Sequence, residues 1–61
     1  MPTYRVYLAK TTTDSPAWDF AETVVAPSQD IAIQRAYENW VHETPGLPAL
    51  NELRSQAEPV Q

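Results

Sequence analysis

Two prolines fence off the longest regular pattern in the chain. Between Pro27 and Pro45, Ser28 to Glu43 reads SQDIAIQRAYENWVHE. Ile33, Ala36, Tyr37, Trp40 and Val41 recur there at spacings of three and four, which lines them along one side of an α-helix. Ser28 suits the N-cap because its hydroxyl can accept from a free backbone N–H of the first turn, and Asp30 follows where the positive end of the helix dipole favours an acid. Thr44-Pro45-Gly46 is a stop signal, since Gly46, the only glycine, takes positive φ without strain. A helix with such a stripe needs an apolar surface to cover, and the rest of the chain has to supply it.

Thr3 to Lys10 alternates, with Tyr4, Val6 and Leu8 on one side and Arg5, Tyr7 and Ala9 on the other, the period of a strand. Thr11 to Ala17 is polar and carries an Asp-Ser-Pro turn signal. Trp18 to Ala26 reads as a second strand in which Trp18, Phe20, Val24 and Ala26 share a face with Glu22. A bulge near Ala21 to Thr23, or a strand-edge position, would re-aim the acid. The two strands pair most simply as an antiparallel hairpin, and Pro27 ends the pairing because it has no N–H. A lone hairpin is marginal in water, so the helix is expected to pack across it, with Tyr37 and Trp40 meeting Val6, Leu8 and Phe20.

After Pro48, the residues Leu50, Leu53 and Ala57 are spaced as in a short second helix over Ala49 to Ala57, and 58–61 read as a frayed tail. The expectation is a single α+β domain over 1–61: a hairpin covered by one long helix, with a short C-terminal helix. The alternative is a third strand in place of that last helix.

Sixty-one residues without cysteine exclude disulfides, thiolate chemistry and cysteine zinc sites, and leave a thin core. Eight acids against four bases give a formal net charge of −4, which opposes direct attraction to nucleic acid or anionic lipid. No apolar run reaches the ~18 residues of a membrane span, and the N-terminus has no leader pattern. A soluble cytoplasmic protein is expected.

No cofactor, metal or catalytic residue is expected. His42, the only histidine, falls away from the helical stripe, and with Glu38 it makes two ligands where a structural zinc needs four. The hydroxyls lack a base held by a third group, and one glycine cannot make a phosphate loop. Tyr4, Trp18, Phe20, Tyr37 and Trp40 could stack on bases, but such platforms are flanked by Lys and Arg, so they read as core. Tyr7, with Arg5, Ala21, Thr23 and Val25, makes an outer hairpin face more apolar than solvent requires. Either the C-terminal segment covers it or a partner does. Ile31 is a second apolar residue on a polar side, beside Arg35, Glu38 and His42.

These readings favour binding over catalysis. Scattered acids on a compact body complement a basic surface, and Asp14, Asp19, Glu22, Glu38 and Glu43 are the candidate partner-binding residues, expected near one edge. In size, acidity, lack of cysteine, α+β character and lack of enzyme motifs, the chain resembles the small phage-encoded anti-CRISPR inhibitors. That resemblance implies a CRISPR effector complex as partner, in the host cell cytoplasm, and occlusion of its DNA-binding surface; the chain itself is expected as a monomer or weak homodimer. The alternative is a small dimeric regulatory or nucleic-acid-binding module using Arg5, Lys10 and Arg54.

Overall fold

The alternating stretch at the N-terminus becomes the centre of the sheet. The computed structural model describes residues 1–10 and 17–60. They form strand β1 (Thr3–Lys10), strand β2 (Phe20–Val25), helix α1 (Gln29–Glu43), a 3-10 turn at Leu50–Glu52 and strand β3 (Leu53–Val60). The sheet is antiparallel with order β2-β1-β3, and α1 packs across all three strands. The α+β class therefore holds in its three-stranded form.

The expected C-terminal helix shrinks to the 3-10 turn, and β3 takes the rest. Residues 58–60, expected to fray, pair with Thr3, Tyr4 and Arg5. The physical reason is the free edge that a hairpin leaves on β1, whose N–H and C=O groups gain partners only if another strand arrives. Leu53 and Ala57 then face α1 while Arg54, Gln56 and Glu58 alternate outward, a period-two pattern hidden beneath the helical spacing.

Pairing of β1 with β2 runs unbroken from Thr3 opposite Val25 to Leu8 opposite Phe20, so no bulge re-aims Glu22. The acid stays on the helix side, half-buried, and Asn39 Nδ2 donates to its Oε2 at 2.8 Å. One hydrogen bond from the helix resolves what the sequence left as a conflict. Trp18 precedes β2 and does not share the face of Phe20; its ring lies 5.7 Å from that of Tyr7, on the other side of the sheet.

Helix α1 starts as expected, with the Ile31 N–H donating to Ser28 Oγ at 3.4 Å. It closes with the Thr44 N–H on the Trp40 carbonyl, and Gly46 at φ 90° turns the chain away. Its buried line is Ala32, Ala36 and Trp40, flanked by half-buried Ile33 and Tyr37. Val41, expected in the stripe, is 37% exposed. The line i, i+4, i+8 places two alanines under the helix axis, where their small side chains let it lie close to the strands. Trp40 then fills the far end, stacked on Phe20 at 5.4 Å and 14°.

At roughly 0.05–0.15 kcal/mol per residue, a domain this small is only a few kcal/mol stable. Truncating a buried tryptophan costs about 3–5 kcal/mol, so Trp40→Ala should abolish the cooperative melt seen by circular dichroism. Val41→Ala should leave it within about 0.5 kcal/mol. A larger loss at Val41 than at Trp40 would contradict the orientation of α1.

Candidate protein-docking surface

The candidate acids divide by what their carboxylates already hold. Asp14 lies outside the described residues. Asp19 sits just before β2, where its Oδ2 accepts from the Lys10 N–H at 2.9 Å and its own N–H donates to the Leu8 carbonyl at 2.9 Å. It fastens the end of β1 beyond the last paired residue of β2. Glu22 holds Asn39, as above. Glu38 and Glu43 are exposed, and no hydrogen bond or ion pair engages either carboxylate among the described residues.

Nor do these acids gather on one edge. Asn39 with Glu22, and Arg35 Nη1 donating to the Val25 carbonyl at 2.7 Å, mark the β2 flank of α1. Glu38 lies on the opposite flank, beside Tyr37 and Leu50. Only Glu38 and Glu43 of the set share a layer, and that layer is acidic in its own right. Helix α1 and the 3-10 turn together carry Asp30, Glu38, Glu43 and Glu52 against Arg35 alone.

The opposite face of the sheet is different in kind. Adding β3 widened this face instead of covering it, so Arg5, Ala21, Thr23 and Val25 remain exposed. Near one end, Arg54 lies 4.6 Å over the Trp18 ring, Trp18 meets Tyr7, and Arg5 stands 5.9 Å from the Tyr7 ring. Such cation–aromatic contacts contribute about 0.5–1 kcal/mol each at exposed sites. Arg5 Nη1 also donates to Thr23 Oγ1 at 3.0 Å, and Arg5 stands opposite Glu58 in the β1–β3 register. At the other end Val25 and Val60 flank Thr3. The arginines and aromatics of this face largely engage one another.

Sequence reasoning did not single out Asp30 as a surface residue, having assigned it to the helix dipole. It also missed the Arg54–Trp18–Tyr7–Arg5 row, which requires Trp18 to leave the strand alternation. The spacing Asp30, Gln34, Glu38 was visible as one line along the helix and would have placed both acids on a common flank.

His42 is exposed, and among the described residues no three His, Cys, Asp or Glu side chains converge as metal ligands would. No helix is long and apolar enough to cross a membrane. Comparison with protein-family models, with curated proteins and with solved structures finds no match.

The division of acids has a measurable consequence. Asp19→Ala should lower stability by about 0.5–1 kcal/mol, the range of a solvent-accessible hydrogen bond, which for a domain this size is a fall of several degrees in the calorimetric midpoint. Glu43→Ala should leave the midpoint within a degree or two. Equal effects would show that Asp19 does not secure the hairpin.

Proposed function

We propose that the chain is a protein-binding inhibitor of the anti-CRISPR kind, which acts in the host cytoplasm by docking its acidic layer on the basic, nucleic-acid-binding surface of a defence complex. The observation that carries this reading is the uneven charge: four carboxylates against one arginine on α1 and the 3-10 turn, with Arg5 and Arg54 against Glu58 on the strands' outward side. Arg35 is turned toward the strand edge, where its guanidinium binds a backbone carbonyl. A layer of this sign steers the body toward a basic partner and presents that layer first.

Glu38 and Glu43 are the members of the original set best suited to contact, because among the described residues their carboxylates hold no partner. Asp19 and Glu22 act indirectly, by holding the hairpin and the helix in register. The same layer repels a phosphate backbone, so the nucleic acid is excluded by the inhibitor and is not its ligand.

Purified chain should displace labelled target DNA from a CRISPR effector complex in gel-shift titrations, and Glu38→Lys with Glu43→Lys should weaken that displacement at least tenfold without changing the melt. Chain that leaves DNA binding intact in every effector class tested contradicts the proposal. A second reading, nucleic acid on the open sheet, has the Arg54–Trp18–Tyr7–Arg5 row in its favour. It requires the chain alone to bind DNA with an affinity that falls steeply as salt rises.

A further inference from the structure

Between α1 and the start of β3 runs a groove. Two adjoining hollows of about 330 and 440 Å³ share Gln34 and Leu50. The floor is apolar, from Ile33, Tyr37, Leu50 and Leu53, and Asp30 and Glu38 stand toward its two ends on the helix wall. Eight residues along a helix is about 12 Å, so the two carboxylates bracket a length of roughly three or four extended residues.

The walls are fixed by hydrogen bonds. Tyr37 Oη donates to the Pro48 carbonyl at 2.6 Å and ties the linker to the helix. The Ala49 N–H donates to Glu52 Oε2 at 3.2 Å, and the Glu52 N–H to the Ala49 carbonyl at 2.9 Å, which holds the turn that presents Leu50. Beside the groove, β3 is an edge strand, and among the described residues no strand pairs with its outer side. An edge row of N–H and C=O groups is a template for an added strand.

We infer that this groove, with the β3 edge, is the docking slot for an extended segment of a partner protein that presents lysine or arginine. Charge complementarity selects the occupant. The rim carries two carboxylates that no described cation engages, and the floor suits the methylene stem of a long basic side chain whose head reaches the rim. Backbone pairing along β3 supplies affinity that is independent of sequence, and the Asp30 and Glu38 carboxylates supply the preference for a basic residue. A second copy of this chain fits poorly, because its own β3 carries one arginine and one glutamate, and Pro59 within it lacks an N–H to donate. The inference rests on the proposed function for the source of the segment, and on the groove alone for its chemistry.

The test is nuclear magnetic resonance titration of the full chain with a blocked hexapeptide carrying one arginine among valine and threonine residues, and with the same peptide carrying neutral citrulline instead. Saturable amide shifts are expected at Gln34, Leu50, Asn51, Leu53 and Ser55, with the citrulline peptide about three- to tenfold weaker, the scale of two solvent-accessible charge contacts. Glu38→Gln alone should weaken the arginine peptide while leaving the citrulline peptide unchanged, a contrast that a merely destabilised fold would not produce. Absence of saturable shifts, equal binding of the two peptides, or the same shifts on simply concentrating the chain each overturns the assignment, the last by making a second copy the occupant. Since no effector complex enters this titration, its failure is distinct from failure of the inhibitor reading.

Discussion

The close approach of one helix to one sheet is the constraint on which the rest of the molecule depends. Ala32 and Ala36, both fully buried, bring α1 down onto β1, and Trp40 stacked on Phe20 closes the end of the contact. Among the described residues α1 and a 3-10 turn are the helical elements, and α1 covers one side of the sheet. One face of the sheet is therefore packed on α1 and the other, the buried Ala9 apart, is largely open, and every described candidate for function lies on the helix layer, on the open face or along an edge strand.

That geometry also explains the polarity of the molecule. Apart from Asp19, Glu22 and Glu58, the described acids lie on α1 and the 3-10 turn, where α1 must present a polar side to water. Arg5 and Arg54 reach the far face because they alternate with residues that point into the core. The uneven charge thus follows from two periodicities, 3.6 in the helix and two in the strands, and it gives a body of net charge −4 a directed field.

Much of the fold was legible because its signals are local. Ser28, Asp30, Thr44 and Gly46 mark the ends of α1 to within a residue, and the alternation of Thr3 to Lys10 gives the central strand. The C-terminal segment was not legible in the same way, because Leu50, Leu53 and Ala57 fit a helix locally, and only the vacant edge of β1 decides for a strand. Glu22 was half legible: the bulge is absent, while the strand-edge alternative holds because β2 is an edge strand. Its place on the helix side was readable, but the partner that makes it tolerable, Asn39, lies seventeen positions away. Of the site, the acidity was legible and its arrangement was not. Asp19 looked like a free surface acid until the Lys10 N–H engaged it, and Asp30 gained meaning only when Leu50 and Leu53 were brought opposite.

The central claim is that the helix layer, and not the open sheet, meets the partner. Amide hydrogen exchange of the chain, alone and mixed with the effector complex proposed as its partner, tests this most directly. The account predicts slowed exchange in α1 near Gln34 to Glu38 and along β3 from Leu53, with Tyr7 and Thr23 unchanged. Protection confined to the Arg5, Tyr7 and Thr23 face, with the helix layer exchanging as in the free chain, would contradict it.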